Sequence, residues 1–512
     1  MMPRRAETPT DGFGIDSPTI ERVRAVCDLA SPLVAGTPWA HRLEDVRTRL
    51  DGALRIAIAG RVKAGKSTLL NALVGERLAP TDAGECTKVV TWYQSGVGYD
   101  VSAVGIDGTV TPVPFRRVDG ALQFDLGLRS PDETADIARI VVSWPSAALR
   151  QITLIDTPGL DSLSSANSLR TSEFLALDDG RASDADAVIY LMRHLHRRDA
   201  EFLGSFMDRS IANTSPVNSV AVLSRADEIG AGRLDALSSA RRIAERYQGH
   251  ETLRTLCTAV VPIAGLLAET GLTLREDEVR ALRTLAATPD SVLDRMLLSA
   301  DMFCDPLAGD LTVESRRQLL DRLGVFGVRF TVAEIRARRA LTAVELARSL
   351  VEESGLDALR RLVTDLFLPR AHVLKARAAL VSLRLISREL EASEPEHARE
   401  LSAIIERCES SSPEFAELRL SHLVMSGTVA FSSNQRDELA VLSARGIPME
   451  ERLGAPVTAD RNGLRATARA GVERWRIQGA APMADAAMRE ACETMARTYE
   501  GVFVQLHEPR VE

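Results

Sequence analysis

Residues 60–68, GRVKAGKST, have the residue types and spacing of a loop that wraps around phosphate groups. The loop follows the apolar run LRIAIA and precedes the helical pattern STLLNALVG, so its N–H groups and a helix N-terminus would face one anion. Lys66 would reach the β- and γ-phosphates, and the Ser67 hydroxyl would ligate Mg²⁺. A glycine-rich surface turn is the alternative. The predicted phosphate-binding residues are Gly60, Arg61, Val62, Lys63, Ala64, Gly65, Lys66, Ser67 and Thr68.

A second candidate lies in the stretch LIDTPG at residues 154–159. Its apolar strand would deliver Asp156 to the carboxyl edge of a sheet, where ligands bind in α/β folds. Asp156 would hold Mg²⁺ through a water molecule, and the Gly159 N–H would contact the γ-phosphate. By itself the stretch could be a tight turn. Downstream of a phosphate loop it predicts a nucleotide site with Mg²⁺ as cofactor.

The stretch VLSRAD at residues 222–227 indicates which base is bound. Its Asp227 can accept both hydrogens that guanine offers at N1 and N2, and adenine offers no such pair of donors. Ser224 and Arg225 stand where a guanine motif usually has asparagine or threonine and lysine, and a plain surface aspartate is the alternative. In VVPIAG, the backbone near Ala264 and Gly265 would contact the base. The sequence therefore predicts GTP as substrate and GDP as product.

The residues that trigger hydrolysis are less clearly marked. Thr87 lies between the first two motifs and is the candidate to close over Mg²⁺ and position water, with Thr81 and Thr91 as rivals. Leu160 occupies the position where small GTPases often place a water-orienting glutamine, and it cannot hydrogen-bond. Lys63 would instead stabilise charge at the β–γ bridging oxygen, unless it is an exposed loop lysine. The predicted catalytic residues are Lys63, Thr87 and Lys66, and the predicted metal ligands are Ser67, Thr87 and Asp156.

The bulk composition excludes several classes of protein. The 512 residues carry a net charge of −8, which does not favour a nucleic-acid partner. Six scattered cysteines include no CxxC pair, so a zinc site is not indicated. The N-terminal sequence lacks the apolar segment of a secretory signal, and no apolar run reaches the roughly 20 residues that span a bilayer. Any membrane role is therefore expected to be peripheral, in a cytoplasmic protein.

The pattern of apolar runs predicts two kinds of architecture in one chain. Strand-like runs alternate with helical stretches from residue 54 to about 327, which predicts a mostly parallel α/β sheet with flanking helices. The remainder is helical and predicts an elongated all-α neck and trunk. We expect disorder at 1–16, N-terminal helices at 17–50 packing with the tail bundle, the nucleotide-binding domain at 51–331, and the helical region at 332–512.

The length of the tail favours a long hairpin over a compact bundle that turns at every break. Residues 370–425 would form a nearly continuous rod of roughly 80 Å at the helical rise of about 1.5 Å per residue. The chain would then return after a turn at residues 426–432. Val429 and Phe431 in that turn would insert shallowly into a membrane, unless the segment is bundle core. Residues 366–388 carry several bases and no acid, and would bind anionic headgroups or pack in the neck.

The chain resembles bacterial dynamin-like GTPases, and most closely the actinobacterial isoniazid-inducible type. The resemblance rests on GRVKAGKSTLLNALVGERLAP, Thr87, LIDTPGL and LSRADEIG, followed by a long helical tail. It implies a GTPase head on a neck and trunk, nucleotide-dependent pairing of heads, and binding and remodelling of an anionic membrane. Arg197, Arg198 and Asp199 would cross the paired heads, or start a solvated basic helix.

The resemblance also bears on Lys63. Eukaryotic dynamins have a serine at this place that helps to hold a monovalent cation, and guanylate-binding relatives have an arginine. A lysine here implies that its ammonium group replaces the ion. The function indicated is thus a GTPase that remodels membranes by fission or fusion at the inner face of the plasma membrane. The alternative is a regulatory or assembly GTPase whose helical tail binds a protein partner.

Overall fold

The structure is a computed structural model, and the part of the chain that it describes has several gaps. The described residues are 17–80, 89–118, 120–124, 137–158, 184–195, 199, 203, 218–250, 253, 256–306, 310–338, 341–425, 427–443 and 448–507. The disorder expected at residues 1–16 falls outside them.

The described strands form one large sheet and one separate hairpin. In chain order they are β1 Leu54–Gly60, β2 Thr91–Ser95, β3 Asp100–Gly105, β4 Val110–Pro112, β5 Phe115–Val118, β6 Ala121–Phe124, β7 Ile137–Trp144, β8 Ile152–Asp156, β9 Ala187–Met192, β10 Ser219–Ser224 and β11 Val260–Ile263. The order of the large sheet is β11-β10-β9-β1-β8-β2-β7-β3-β4, and β5 pairs with β6 alone.

The sheet is mostly parallel, as the sequence predicted. Strands β1, β8, β9, β10 and β11 run parallel to one another, whereas β2 runs antiparallel to β8 and β3 runs antiparallel to β7 and β4. The central position of β1 places the ends of β8 and β9 beside the phosphate loop. The sequence did not predict β3 to β6. Of these strands, β4 and β5 are short and wholly exposed, so they give no buried apolar pattern.

Alternate residues of the central strands feed two cores on opposite faces of the sheet. Ile56 and Ile58 of β1 join one core, and Ala57 and Ala59 join the other. Because successive side chains point to opposite faces and both faces are buried, residues 56–59 of the strand are all apolar. Helices flanking the sheet include Lys66–Val74, Ala236–Gln248, Gly265–Leu272, Glu276–Ala287, Asp290–Met296, Ala300–Phe303, Val313–Ala337, Ala343–Ser354 and Leu356–Leu362.

The boundary predicted between residues 331 and 332 is wrong, because it falls inside the helix Val313–Ala337. The next helix, Ala343–Ser354, packs on the helix Gly265–Leu272, where an added Cβ at Gly271 would lie 2.8 Å from Val351. The helices that complete the nucleotide-binding domain therefore continue to about residue 362. The sequence placed these helices in the tail because no strand-like run occurs among them.

Four helices form the neck. They are Pro18–Val34, Trp39–Asp51, Ala371–Leu390 and Pro395–Ser410. Their apolar faces join the core on one side of the sheet. The buried ion pair of Arg49 with Asp186, at 2.7 Å, ties the neck to the start of β9. The Nζ of Lys375 donates to the Gly52 carbonyl at 2.7 Å, so this cation of the basic stretch 366–388 lies within the neck.

The rod predicted over residues 370–425 is wrong, because the chain reverses at residues 391–394. The Ser387 hydroxyl donates to the Ala398 carbonyl at 2.8 Å, and Arg384 pairs with Glu409. These contacts join the helix Ala371–Leu390 to the helix Pro395–Ser410 as antiparallel neighbours. Pro395 at the first helical position is the local signal for the reversal, since proline starts helices readily and cannot continue one.

The remaining helices form a second bundle, the trunk. They are Pro413–Met425, Ser433–Ser443, Met449–Arg452, Arg461–Gly479 and Ala486–Gln505. Val429 is 2% exposed and Phe431 is 8% exposed, and the Phe431 ring lies 5.1 Å from the Trp475 ring. The prediction that Val429 and Phe431 insert into a membrane is therefore wrong for this arrangement. Their apolar side chains fill the trunk core, which the sequence had left as the alternative.

Candidate functional site

The phosphate loop joins the end of β1 to the helix Lys66–Val74. Gly60 has φ 148°, and a Cβ added there would lie 2.5 Å from the Leu191 carbonyl oxygen, so only glycine fits. Gly65 has φ 93° at the helix N-cap. The Lys66 ammonium donates to the carbonyls of Gly60 and Arg61 at 3.1 and 3.2 Å. The predicted phosphate binder thus lies across the mouth of the loop.

Two oxygen ligands lie side by side at the start of that helix. The Ser67 hydroxyl donates to Asp156 Oδ2 at 3.0 Å, and Asp156 Oδ1 is buried with no hydrogen-bond partner in the described part of the chain. Burial raises the pKa of Asp156, and the nearby Lys66 opposes that shift. A buried carboxylate oxygen beside a hydroxyl fits a hard cation such as Mg²⁺. Among the described residues there is no cluster of three or more acidic, histidine or cysteine side chains that could hold a metal ion.

A cavity of about 100 Å³ opens beside the phosphate loop, where a base would lie. Asp227 forms part of its wall and is 6% exposed. Gly265 also lines the cavity, and Ala264 does not, because it is buried and its N–H donates to the Ser354 carbonyl at 2.9 Å. The lining residues are Ala64, Gly65, Thr68, Leu69, Leu191, Val222, Ser224, Arg225, Asp227, Glu228, Ile263, Gly265 and Leu266.

Local contacts hold the turn that contains Ser224 and Arg225. Arg225 adopts φ 52°, and its guanidinium pairs with Glu228 at 2.6 Å. Arg193 pairs with the same carboxylate. The Ser224 hydroxyl donates to the Met192 carbonyl at 3.3 Å, which binds the end of β10 to β9. This local network holds the turn that presents Asp227 to the cavity.

Known proteins are similar to this chain in sequence. A family described as the dynamin family matches residues 56–218. Isoniazid-induced protein IniC of Mycobacterium tuberculosis is 37% identical over 498 residues, which are 95% of this chain and 99% of that relative. The chain belongs to the dynamin family. Members of this family are GTPases, so the cavity beside the phosphate loop belongs to a GTPase.

More distant relatives match parts of this dynamin-family GTPase. A bacterial dynamin-like protein of Nostoc punctiforme is 30% identical over 150 residues, which are 28% of this chain and 20% of that relative. A solved structure described as an oligomerised bacterial dynamin pair for long-range sensing and tethering of membranes is 15% identical. It covers 96% of this chain and 76% of its own, with a TM-score of 0.29.

Some predicted catalytic residues lie within the described residues of this GTPase and others do not. Lys63 is exposed in the phosphate loop and has φ 61°, a left-handed conformation that is uncommon for lysine. Thr91, the rival switch residue, is buried in β2, where its hydroxyl donates to the Val89 carbonyl at 3.3 Å. It is therefore a strand residue. The remaining predicted residues Thr81, Thr87, Gly159 and Leu160 fall outside the described residues.

The stretch predicted to cross between paired heads is only partly described. Arg197 and Arg198 fall outside the described residues. Asp199 is 1% exposed and accepts a hydrogen bond from the Tyr190 hydroxyl at 2.6 Å. A buried carboxylate with this partner is structural, so the prediction of an interface role for Asp199 is wrong.

The sequence did not reveal the apolar wall of the base cavity or the kinked helix behind it. Leu69, Leu191 and Leu266 line the cavity, and each lies in an apolar run that predicts only a core. Gly324 interrupts the helix Val313–Ala337 with φ 64° and ψ 178° and lies near Asp227. An isolated glycine within a helical pattern was the available signal for this kink.

We expect guanine nucleotide binding to weaken as the pH falls through about 6, because burial raises the pKa of Asp227 to about 6. Glu228 also raises this pKa, whereas Arg225 and Arg193 lower it. Protonation removes an acceptor for the guanine N–H groups, so the Kd for GDP should rise by up to about tenfold per pH unit below that value. Fluorescence titration of wild type and Asp227→Asn between pH 5 and about 8 tests this.

The variant also serves as the control, because the phosphate groups of GDP titrate over the same range. Their contribution is common to both proteins, and the amide side chain of the Asp227→Asn protein has no carboxyl proton to gain. Equal pH slopes for the two proteins would contradict an ionised Asp227 as the base acceptor.

Proposed function

We propose that this GTPase hydrolyses GTP to GDP and phosphate with the residues of the loop in defined roles, and that it couples the cycle to membrane remodelling. The loop N–H groups and Lys66 hold the β- and γ-phosphates, and Asp227 with Gly265 reads the base. Ser67, Asp156 and Thr87 would hold Mg²⁺, which would supply positive charge to the phosphate oxygens. The roles proposed for Thr87 and the Gly159 N–H are contacts with the γ-phosphate.

Lys63 supplies the charge for the transition state in this proposal. As water attacks the γ-phosphorus and the bond to the β–γ bridging oxygen breaks, negative charge grows on that oxygen. An ammonium group in the loop stabilises the leaving GDP without a residue from a second protein. The exposed position of Lys63 is compatible with reaching a bound nucleotide.

One surface of the trunk supports the membrane part of the proposal. The helix Arg461–Gly479 carries the five arginines 461, 465, 469, 474 and 476 and the single acid Glu473. Arg474 pairs with Glu438 and Arg476 pairs with Glu500, so the basic charge offered to a membrane is that of Arg461, Arg465 and Arg469. Large apolar side chains stand exposed on it and on the loops at its two ends. Val457 is 93% exposed, Met483 is 95% exposed and Ile477 is 68% exposed. Basic charge beside exposed apolar groups is the combination that binds anionic headgroups and the interface beneath them.

The kind of membrane contact that we propose is peripheral. Among the described residues, no helix has the length and apolarity needed to cross a bilayer. We therefore propose a peripheral contact at the inner face of the plasma membrane, in a protein that works in the cytoplasm. Nucleotide-dependent pairing of GTPase heads would bring two such surfaces to one membrane.

Flotation of the full-length protein with vesicles tests the membrane proposal. Vesicles of phosphatidylglycerol should carry the protein to the top of a gradient, and vesicles of phosphatidylcholine should not. Reversing the charge of exposed Arg469 with Arg469→Glu should weaken binding about thirtyfold, because the change removes an attraction of about 1 kcal/mol and adds a repulsion of similar size. Met483→Ser should also weaken it, because a polar side chain gains nothing from the interface.

Arg295→Glu is the matched control. Arg295 is an exposed cation on the helix Asp290–Met296 of the head, and the change in net charge is the same. It should bind vesicles like wild type. Absence of flotation with GTP, with GDP and without nucleotide would favour the alternative, a regulatory GTPase whose tail binds a protein.

A further inference from the structure

The turn that carries Asp227 is short and is followed by an irregular loop. The turn spans Ala226–Glu228. In the loop, Gly230, Ala231 and Gly232 have φ of 63°, 59° and 66°, and a chain rarely keeps this left-handed conformation over several residues in a row. These residues belong to no helix or strand, so no ladder of backbone hydrogen bonds holds them in place. The position of the loop therefore depends on side chains from other elements.

Arg329 of the helix Val313–Ala337 holds this loop from the core side. Its Nη1 donates to the carbonyl of buried Gly232 at 3.1 Å. Its Nη2 donates to the carbonyl of Leu297, the residue directly after the helix Asp290–Met296. The side chain is partly buried, and its guanidinium joins segments that are far apart in the chain. The loop is thereby fastened to two helices of the head.

The same helix lies close beside the turn that carries Asp227. Ala226 of the turn and Phe326 of the helix are buried in one core. Phe326 and Arg329 are three residues apart, so they lie on the same face of the helix. Asp227 is therefore held between a packed neighbour, Ala226, and a hydrogen-bonded one, Gly232. Both of these contacts are made to one stretch of helix.

The contacts on the solvent side of the turn are weaker. Glu228 pairs with Arg225 and Arg193, and these three side chains are between 38% and 50% exposed. Exposed ion pairs contribute little, because water and salt screen them. A charged donor to the carbonyl of a buried residue contributes more, since its removal leaves the carbonyl without a partner. We therefore expect Arg329 to contribute more than the exposed pairs to the position of the turn.

We propose that Arg329 is a positioning residue that sets the preference for guanine by holding Asp227 in the wall of the base cavity. The inference rests on the role proposed above for Asp227. Arg329 is not among the residues that line the cavity, so it acts through the loop and the turn and does not touch the nucleotide. Two hydrogen bonds to the guanine edge need both carboxylate oxygens in place. A displaced turn therefore weakens guanine more than a base that forms one such bond.

The affinities for GDP and IDP test this proposal. The base of IDP lacks the 2-amino group of guanine, so IDP engages Asp227 with one hydrogen bond fewer, and wild type should bind GDP about tenfold more tightly. In Arg329→Met the Kd for GDP should rise about tenfold and that for IDP about threefold, so the IDP-to-GDP ratio should fall to about three. The kcat at saturating GTP should stay within about twofold, because the phosphate loop is unchanged.

The same replacement at Arg336 is the control. Arg336 lies on the same helix and also donates to two backbone carbonyls, those of Ala286 and Thr288, but near the other end of the head helices. Arg336→Met should keep the wild-type ratio. Arg329→Lys keeps a charged donor that reaches one carbonyl, so it should give an intermediate ratio, and it serves where Arg329→Met does not fold. Hydrogen exchange over residues 229–235 should be faster in Arg329→Met and unchanged in Arg336→Met.

The outcomes separate the positioning role from the function on which it rests. An IDP-to-GDP ratio that stays at the wild-type value in Arg329→Met and Arg329→Lys would overturn the positioning role, even where the loop exchanges faster. A ratio that falls equally in Arg336→Met would overturn it too, since the loss would then follow from any destabilised head. Equal Kd values for GDP and IDP in wild type would instead overturn the role proposed for Asp227, and with it any role of Arg329 in base preference.

Discussion

Replacing Lys63 with alanine should lower kcat for GTP about 100-fold and leave the Kd for GTP within about threefold. The reason is that Lys63 would act on charge that appears only in the transition state, whereas Lys66 binds phosphate in the ground state as well. Both residues lie in one loop, so the effects of replacing Lys63 and Lys66 can be compared within the same site. Single-turnover measurements of phosphate release, with nucleotide affinity measured separately, check the split.

The backbone of the loop requires a careful choice of variants. Lys63 has φ 61°, and alanine at that position has the same preference against this conformation as lysine. Lys63→Ala therefore removes the charge and keeps the strain, whereas Lys63→Gly removes both. Equal losses in the two variants assign the effect to the ammonium group. A Lys63→Ala protein with the wild-type kcat would rule out a cation in the loop as the catalytic group.

A serine at the same position gives an independent readout. If the ammonium replaces a monovalent cation, wild type should turn over equally in sodium and in potassium. Lys63→Ser should be slow in sodium and should regain activity in potassium. Salt-independent activity in Lys63→Ser would contradict the replacement, even if Lys63→Ala is slow.

Replacing Asp227 with asparagine should change the base that the GTPase accepts from guanine to xanthine. The asparagine amide presents one donor and one acceptor, which match the oxygen at C2 and the N1–H of xanthine. Against guanine the amide NH₂ meets an NH₂ group in a buried wall, so affinity for GTP should fall at least about 100-fold. Titrations with GTP and XTP for both proteins measure this exchange.

The outcome of this experiment also separates the nucleotide classes. ATP should bind poorly to wild type and to the variant, since adenine satisfies neither side chain. Unchanged affinity of Asp227→Asn for GTP would show that the carboxylate does not read the base. The Lys66→Ala protein serves as the blank, because it should fail to bind any nucleotide tightly.

Much of the nucleotide site was predictable from the sequence, because its chemistry is local. Gly60 and Gly65 follow a strand and precede a helix, and this order alone brings backbone N–H groups and Lys66 to one anion. Asp156 and Asp227 each lie at or just after the carboxyl end of a parallel strand. Parallel strands share that edge, so motifs far apart in the chain meet without any need to know the packing.

The burial of side chains in the trunk and neck could not be predicted from the sequence. The stretch containing Val429 and Phe431 is apolar, and an apolar segment is equally suited to a bilayer and to a protein core. Its neighbour Trp475 decides between them, and nothing near Phe431 in the chain identifies that neighbour. Lys375 is similar, since a basic residue on a helix reads as exposed until the Gly52 carbonyl is seen beside it.

By itself the sequence determined the GTPase fold class and the strand–loop–helix context of the candidate phosphate loop, and it predicted Asp227 as a candidate for base recognition, since these depend on short motifs and strand order. Only the tertiary structure decided that the neck reverses after Leu390, and that the buried pair of Arg49 with Asp186 ties the neck to β9. Both depend on contacts between residues far apart in the chain. Such contacts arise from the packing of whole helices, which no local pattern records.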